Sequence, residues 1–213
     1  TFYTASGEQR WVELNLSTVN SVGEPKFVLA QVHDLTERER GKQELERMAL
    51  RDSLTQLANR TLLFQRVNEE MAAAREDGST IGMLFLDLDG FKEVNDTHGH
   101  AAGDAVLIAV AGRLAGAVRA GATVARLGGD EFAIVCPHTE SVDELQEIAI
   151  RLRRLIQEPI GLADGTLVSI DVSIGTARAD GNQSADTLIL DADRAMYRIK
   201  DIRRVRTGES TAS

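Results

Sequence analysis

Apolar and polar residues alternate with two different periods along this chain, and the change of period separates predicted strands from predicted helices. Residues 8–20 alternate with a period of two, as expected of a strand with one apolar face. Residues 26–35 form a second strand-like stretch, and Gly23 and Pro25 between the two predict a turn. We therefore expect residues 1–35 to form an antiparallel hairpin. A lone hairpin is marginal in water, so it should belong to a larger sheet.

Residues 36–50 are charged and rich in helix-favouring residues, so they predict a helix. Thr36 and Glu39 have the spacing of a capping box at its start. The apolar positions of this helix are sparse and comprise Leu45, Met48 and Ala49. Two interpretations remain open: a solvated linker helix, or a short dimeric coiled coil that passes a signal onward. Two heptads are too few to decide between them.

Helical and strand-like patterns then follow one another to the end of the chain. Ser141 and Glu144 again have the spacing of a capping box. The predicted helices cover residues 60–76, 100–119, 141–157 and 184–204. The predicted strands cover residues 79–90, 124–127, 132–136 and 166–177. This order predicts an α/β or α+β fold in which helices flank a buried sheet.

Composition excludes several classes of protein. The net charge of −9 argues against binding a nucleic-acid polymer, which needs a basic face. No apolar run reaches the ~18 residues of a membrane span, so we expect no membrane contact from this segment. The single cysteine, Cys136, rules out an internal disulfide and favours the reducing cytoplasm. It follows an apolar strand, which favours a buried residue over a nucleophile.

Two acids, Asp87 and Asp89, end the predicted strand 79–90. A buried carboxylate is costly unless it is paired or binds a metal. The calcium loop of an EF-hand does not fit, because its fifth and twelfth positions would be Phe91 and His98. Zinc would favour cysteine and histidine ligands. Mg²⁺ or Mn²⁺ with oxygen ligands fits this segment better.

A second pair of acids follows two glycines in the segment RLGGDEFAIV, residues 126–135. Gly128 and Gly129 allow a tight turn that projects Asp130 and Glu131 toward the end of the 79–90 strand, provided that the strands are neighbours. The alternative is an ordinary turn with solvated acids. No Walker A or dinucleotide fingerprint is present, so a bound phosphate would rely on other groups.

Those other groups are a metal ion, Lys92 and a late basic pair. Lys200 and Arg204 are four residues apart and share one helix face. A basic pair at a helix end is also favourable simply through the helix dipole. Together with the acids, however, the three cations favour a site for a nucleotide triphosphate and a divalent ion.

The segment RLGGDEFAIV resembles the signature of the GGDEF family, the diguanylate cyclases, which make cyclic dimeric GMP from two GTP molecules. Further resemblances lie in residues 51–60, 85–107, 172–177 and 191–200. The family implies a central, mostly antiparallel sheet flanked by helices, similar to nucleotidyl cyclases and polymerase palms. It also implies that the enzyme works as a homodimer in which each subunit presents one GTP.

The resemblance assigns roles to residues at matching positions. Asp87, Asp130 and the Leu88 carbonyl are expected to hold two Mg²⁺ ions, with Mn²⁺ as a possible substitute. Asp130 or Glu131 is expected to help deprotonate the attacking 3′-hydroxyl. Lys92 is expected to stabilise charge on the phosphates.

The remaining expected contacts concern the base and the outer phosphates of GTP. Asn95 and Asp104 would recognise the guanine edge, where a carboxylate can accept from both N1–H and the exocyclic amine. His100 would line the nucleotide site, although a capping or packing role fits equally. Lys200 and Arg204 would hold the outer phosphates.

Two positions depart from the family pattern. The inhibitory product site of many members is Arg-x-x-Asp, and here Arg119 is followed by Ala122 where the acid would be. We therefore expect weak or absent product inhibition through this site. Arg203 stands where the family often has glycine.

Residues 1–50 resemble the last strands of a PAS sensor domain and its exit helix, so the chain is expected to be part of a longer protein. The predicted organisation is a PAS-like fragment, a linker helix, a GGDEF domain and a disordered tail, at residues 1–35, 36–50, 51–206 and 207–213. The expected function is diguanylate cyclase activity. One alternative is a silent GTP-binding module that regulates an attached phosphodiesterase domain, and another is a purely structural dimerisation element.

Overall fold

The computed structural model describes residues 2–19 and 27–207 of the 213-residue chain. The chain divides into two compact units, Thr1–Ala49 and Leu50–Ser213. The elements of the first unit are β1 (Phe2–Tyr3), β2 (Gln9–Arg10), β3 (Val12–Val19), β4 (Phe27–Asp34) and α1 (Thr36–Leu50).

The antiparallel hairpin predicted near the start of the chain is confirmed by the pairing of β3 with β4. The prediction of one continuous strand over residues 8–20 is wrong, because β2 pairs with β1 instead and the chain changes partner at Trp11. The turn predicted around Gly23 and Pro25 lies outside the described residues.

The helix predicted over residues 36–50 is confirmed, but its predicted capping box is wrong. The Thr36 hydroxyl oxygen accepts a hydrogen bond from the Trp11 amide at 3.1 Å. The Thr36 amide donates to the Asp34 carboxylate at 2.9 Å, so Asp34 caps the helix instead. The Thr36 hydroxyl, which the local pattern predicts as a helix cap, therefore bonds to the backbone before β3 instead. The side chain of Leu45 lies outside the described part of the chain, and the choice between linker and coiled coil stays a prediction.

The second unit contains a four-stranded sheet in the order β10-β5-β7-β6, in which all neighbouring strands are antiparallel. The predicted α+β fold with a mostly antiparallel sheet is therefore confirmed. Its elements are α2 (Arg60–Asp77), β5 (Ile81–Asp89), α3 (Phe91–His98), α4 (His100–Ala117), β6 (Thr123–Gly128), β7 (Glu131–Cys136), α5 (Val142–Ile156), β8 (Ile160–Gly161), β9 (Leu167–Val168), β10 (Asp171–Ala179) and α6 (Ala185–Thr207).

Alternate residues of the central strand β5 enter two different hydrophobic cores. Leu84 and Leu86 pack in one core with buried residues of α4 and α5. Met83 and Phe85 pack in the other with buried residues of α2 and α6. Because both faces of β5 are covered, its sequence is continuously apolar until the acids at its end.

The close approach of α6 to the sheet depends on Gly175 in β10. A Cβ at this position would clash with the backbone of Ala192 and Met196. Glycine therefore allows the helix to lie directly on the strand, and this contact places the second half of α6 near the ends of β5 and β10.

Three local predictions need correction. The single strand predicted over residues 166–177 is divided, because β9 pairs with β8 whereas β10 begins a new pairing at Asp171 opposite Asp89. The helix predicted over residues 100–119 ends at Ala117. Ser141 does cap α5, yet Glu144 accepts from the Glu140 amide at 2.8 Å, so the capping box is incomplete.

None of the helices in the described part of the chain is both long enough and apolar enough to cross a membrane. Helix α6 ends at Thr207, and residues 208–213, most of the predicted tail, lie outside the described ranges.

Candidate active site

The end of β5 and the glycine turn meet at one edge of the sheet. Asp87 lies directly opposite Glu131 of β7 on one side and opposite Ser173 of β10 on the other. The Leu88 amide donates to the Asp130 carbonyl at 3.3 Å. The expected neighbourhood of these two strand ends is therefore confirmed, and it brings together segments that are distant in the sequence.

The glycine turn adopts a backbone conformation that other residues avoid. Gly128 has φ +142° and Gly129 has φ +53°. A Cβ added to either glycine would meet nothing within 4 Å, so glycine is needed for conformation and not for space.

A partly buried ion pair between Arg126 and Asp52 supports this turn. The Arg126 guanidinium donates to the Gly129 carbonyl at 3.0 and 2.8 Å and to the Asp52 carboxylate at 3.0 and 3.2 Å. Burial raises the pKa of Asp52, but hydrogen bonds from Thr55 and Arg126 outweigh it, so the pKa is lowered overall. The sequence does not identify this pair directly. The signal that could have found it is Arg126 itself, the only basic residue between Thr123 and Cys136.

Asp87 is 8% exposed, and its carboxylate accepts a hydrogen bond from the Lys200 ammonium at 2.5 Å. Of the two residues in the predicted basic pair, Lys200 is thus placed directly on the acid cluster. The side chain of Arg204 is not among those that the structure describes.

Negative charge accumulates around Glu131. Burial is the first cause that raises the pKa of Glu131, and the charges of Asp87, Asp130 and Asp193 raise it further. Arg60, whose guanidinium lies 3.8 Å from the Glu131 carboxylate, opposes this shift. Neither Asp193 nor Arg60 is expected from the sequence, because each comes from a different helix and has no distinctive local pattern.

The donor set at this edge fits a hard divalent cation. It consists of carboxylate and carbonyl oxygens, and Lys200 places a positive charge beside Asp87. Within the described residues, no three His, Cys, Asp or Glu side chains are grouped closely enough to hold a metal by themselves. Mg²⁺ commonly uses one or two carboxylates and completes its shell with substrate phosphates, so this edge suits a metal that arrives with a nucleotide.

The expected base-recognition residues lie on α3 and α4, which follow β5 through Gly90 at φ +80°. Asn95 lies so close to Gly103 that a Cβ there would clash with its side-chain oxygen. Asp104 follows Gly103 and is exposed. Asn95 and Asp104 thus lie on adjoining helices, and the side chain of Asn95 packs against Gly103, the residue before Asp104.

Lys92 and His100 are exposed in the first turns of α3 and α4. The described contacts do not join the residues of these two helices to the Asp87 cluster. This holds for Lys92, Asn95, His100 and Asp104.

Arg119 lies near the opposite end of β7, and its side chain forms hydrogen bonds within the protein. Its guanidinium donates to the Glu144 carboxylate at 3.2 Å, to the His138 carbonyl at 3.0 Å and to the Pro137 carbonyl. Ala122, at the position of the missing acid, is half-buried.

Two features define the class of this protein. Its sheet is antiparallel, and a Gly-Gly turn carries acids beside a strand that also ends in acids. The family described as "Diguanylate cyclase, GGDEF domain" matches residues 49–206, and the chain belongs to this family. The resemblance inferred from RLGGDEFAIV is therefore confirmed.

Individual relatives support the same assignment. The chain is 43% identical over 163 residues to the bifunctional diguanylate cyclase/cyclic di-GMP phosphodiesterase MucR of Pseudomonas aeruginosa, which covers 76% of this chain and 24% of MucR. It is 43% identical over 156 residues to the diguanylate cyclase TpbB of the same species, covering 72% of this chain and 35% of TpbB. The chain thus spans only about a quarter to a third of these curated relatives.

Among solved structures, the coiled coil and GGDEF domain of DgcB from Caulobacter crescentus, in complex with c-di-GMP, is similar to this chain. The TM-score is 0.71 and the sequence identity 33%, over 78% of this chain and 89% of that one. The fold of the second unit is therefore that of a GGDEF domain.

Proposed function

We propose that this chain is a diguanylate cyclase module that condenses two GTP molecules into cyclic dimeric GMP and releases pyrophosphate. The observation that carries the proposal is the register of β5 and β7, which sets Asp87 opposite Glu131 while the Asp130 carbonyl accepts from the Leu88 amide. TpbB, 43% identical, is a named diguanylate cyclase, which supports the same reaction.

In this proposal Asp87, Asp130 and the Leu88 carbonyl hold Mg²⁺, or Mn²⁺ in its place. When bound, the metal neutralises the triphosphate and lowers the pKa of the attacking hydroxyl. Asp130 or Glu131 accepts the proton of the 3′-hydroxyl. The like charges gathered at this edge cost stability, and such clusters persist in proteins where chemistry uses them.

The cations of the chain bind the phosphates. The Lys200 ammonium already bonds to the Asp87 carboxylate. In this proposal its side chain rotates and carries the ammonium from the carboxylate to a phosphate. Lys92, exposed in the first turn of α3, and Arg204 supply further positive charge. Asn95 and Asp104 bind the guanine edge, and His100 lines the same pocket.

The reaction requires two copies of the module. One site binds one GTP, whereas the product joins two nucleotides, so two subunits must present their GTP molecules to each other. Holding both reactants in this way converts a difficult encounter into a nearly unimolecular step. The rate per subunit should therefore rise with protein concentration.

The test is to incubate the purified chain with GTP and Mg²⁺ over a range of protein concentrations and to quantify pyrophosphate and cyclic dimeric GMP. We expect both products, and we expect Asp130→Ala to abolish them while the exposed control Asp143→Ala does not. Binding of GTP without product at every concentration would favour the silent module that regulates an attached phosphodiesterase domain. MucR, which combines both activities, makes that arrangement a concrete alternative.

We also propose that residues 1–35 are the C-terminal part of a PAS-like sensor and that residues 36–50 link it to a catalytic domain over residues 51–206. The division of the chain between Ala49 and Leu50 supports the linker. Limited proteolysis should cut first within residues 36–50 or after residue 206. A first cut within β5 or β7 would contradict these boundaries.

A further inference from the structure

The last turns of α6 are not held to the protein by a hydrophobic face. Among the side chains of α6 that the structure describes, Met196 is the last that is buried, at 1% exposure. Of the apolar side chains between it and Thr207, Ile199 is half-buried, and the other three are largely exposed: Tyr197, Ile202 and Val205. Lys200 nevertheless reaches Asp87 from this part of the helix, so polar contacts must fix its place.

Arg203 provides those contacts. Its guanidinium donates to the Asp89 carboxylate at 2.8 Å and to the Val172 carbonyl at 2.6 Å. It also lies 3.4 Å from the Ser173 hydroxyl oxygen and 3.7 Å from the Asp171 carboxylate. All four distances are measured from one nitrogen, Nη1, which therefore lies among acceptors of both β5 and β10.

The acceptors are themselves held in place. The Ser173 hydroxyl, fully buried, donates to the Asp89 carboxylate at 2.9 Å. Arg153 of α5 donates two hydrogen bonds to Asp171, at 2.8 and 2.6 Å. Burial raises the pKa of Asp171, yet Arg153, the Val172 amide and Arg203 outweigh it and lower the pKa overall. The charged acceptors of Arg203 at the sheet edge therefore have further hydrogen-bond partners of their own.

Strand β5, which supplies Asp89 to Arg203, also carries the proposed metal ligand Asp87. Asp87 and Asp89 are two residues apart on β5 and project from the same face. Lys200 and Arg203 are three residues apart on α6 and also share a face. Two ion pairs, Lys200–Asp87 and Arg203–Asp89, thus run side by side between helix and strand.

We propose that Arg203 is a positioning residue: by clamping the end of α6 to Asp89 and the Val172 carbonyl, it sets the place of Lys200 for phosphate binding. The functional half of this inference rests on the proposed cyclase site. Arg203 is engaged with acceptors of the protein, so it acts through Lys200 and not on the nucleotide itself.

The kinetic test is a double-mutant cycle. Arg203→Met should raise the KM for GTP about tenfold with kcat changed less than about threefold, because it weakens phosphate binding more than chemistry. Lys200→Met should have at least the same effect, and the double variant should be no worse than Lys200→Met, since both act on one interaction. Arg203→Lys, which keeps the charge, should recover part of the affinity. The matched control is Arg198→Met, on an exposed arginine of the same helix.

The structural half has a readout that needs no activity. In the nucleotide-free protein, Arg203→Met should increase amide hydrogen exchange at residues 199–203 about tenfold, while the exchange of β5 stays unchanged. The proposal would be overturned if the change in KM of the double variant equalled the product of the two single changes. Arg203 would then act independently of Lys200. Unchanged exchange at residues 199–203 would also overturn it. If the parent chain neither turns over nor binds GTP, the proposed function fails, and the exchange measurement alone decides on the clamp.

Discussion

The two ends of β7 satisfy their polar groups in opposite ways. At the start, Glu131 faces Asp87, and burial together with neighbouring acids raises the pKa of Glu131. At the other end, Arg119 donates to the carbonyls of Pro137 and His138, and Glu144 balances its charge. One end therefore retains unfavourable charge, as functional sites do, while the other is closed by hydrogen bonds and packing.

This contrast predicts that substitutions at the first end change activity and that substitutions at the second change stability. Four experiments test it, in order of decreasing expected effect.

The largest effect is expected from Glu131→Gln. In the proposed mechanism Glu131 is one of the two acids that can accept the proton of the 3′-hydroxyl, so its loss should lower kcat/KM about 1000-fold, as for the loss of a general base. The melting temperature should stay the same or rise, because repulsion from Asp87 is removed. Assays of cyclic dimeric GMP formation and thermal unfolding measure the two effects.

The control for this substitution is Glu147→Gln, on an exposed acid of α5 beyond the other end of the strand. It should leave both quantities unchanged. Full activity in Glu131→Gln would remove Glu131 from the site and break the contrast at its functional end.

Next in size is the effect of Leu145→Ala on stability. Leu145 is fully buried, and its methyl groups lie so close to Gly82 that a Cβ there would clash with them. The substitution should lower the free energy of unfolding by about 3 kcal/mol, as other buried Leu-to-Ala changes do. Urea unfolding measures the loss, with Gln146→Ala as the exposed neighbour for comparison. A large fall in activity per folded molecule would contradict the separation of the two ends.

A smaller effect is expected from Arg119→Ala. Loss of its hydrogen bonds should cost about 1 kcal/mol of unfolding free energy, since the residue is half exposed and water replaces part of the contacts. Product inhibition should be weak in the parent chain, because Ala122 replaces the acid of the inhibitory motif, and it should stay weak in the variant. Strong product inhibition that disappears with Arg119→Ala would refute this prediction.

The smallest effect concerns Cys136, whose thiol is 2% exposed and whose pKa burial raises to about 11. A disulfide reagent at pH 8 should label the folded chain at less than about 1% of the rate in urea, because little thiolate is present and access is closed. Since the folded pKa lies above the ordinary value of 9.0, the thiol contributes stability that is lost as the pH rises from 9.0 toward about 11. Rapid labelling of the native chain would show that this end of the sheet opens.

Short-range features of this chain follow directly from its sequence. The period of two predicts the paired strands β3 and β4, and the glycine pair predicts the turn between β6 and β7. Ser141 marks the start of α5 because its hydroxyl bonds to the Glu144 amide within the same turn. Each of these outcomes depends on residues that are close in sequence, so local propensity is sufficient.

Features that depend on a distant partner are predicted less well. Thr36 has the local pattern of a helix cap, yet its hydroxyl bonds to Trp11, and Asp34 takes over the cap. Arg126 gives no local sign of its partner Asp52, which lies 74 positions earlier. Arg203 departs from the family pattern, but only its contacts with Asp89 and Val172 show what the departure does.

The sequence by itself determined where strands β5 and β7 and the four longest helices of the second unit lie, where the glycine turn is and which acids and cations are available for chemistry. Only the tertiary structure decided that Asp87 faces Glu131 and that Lys200, 113 positions further along the chain, reaches the same carboxylate. The physical reason is that strand order and helix docking arise from burial of two cores and from close approaches such as that at Gly175. Local alternation of apolar and polar residues sets which face of an element is buried, and it carries no information on which other element covers that face.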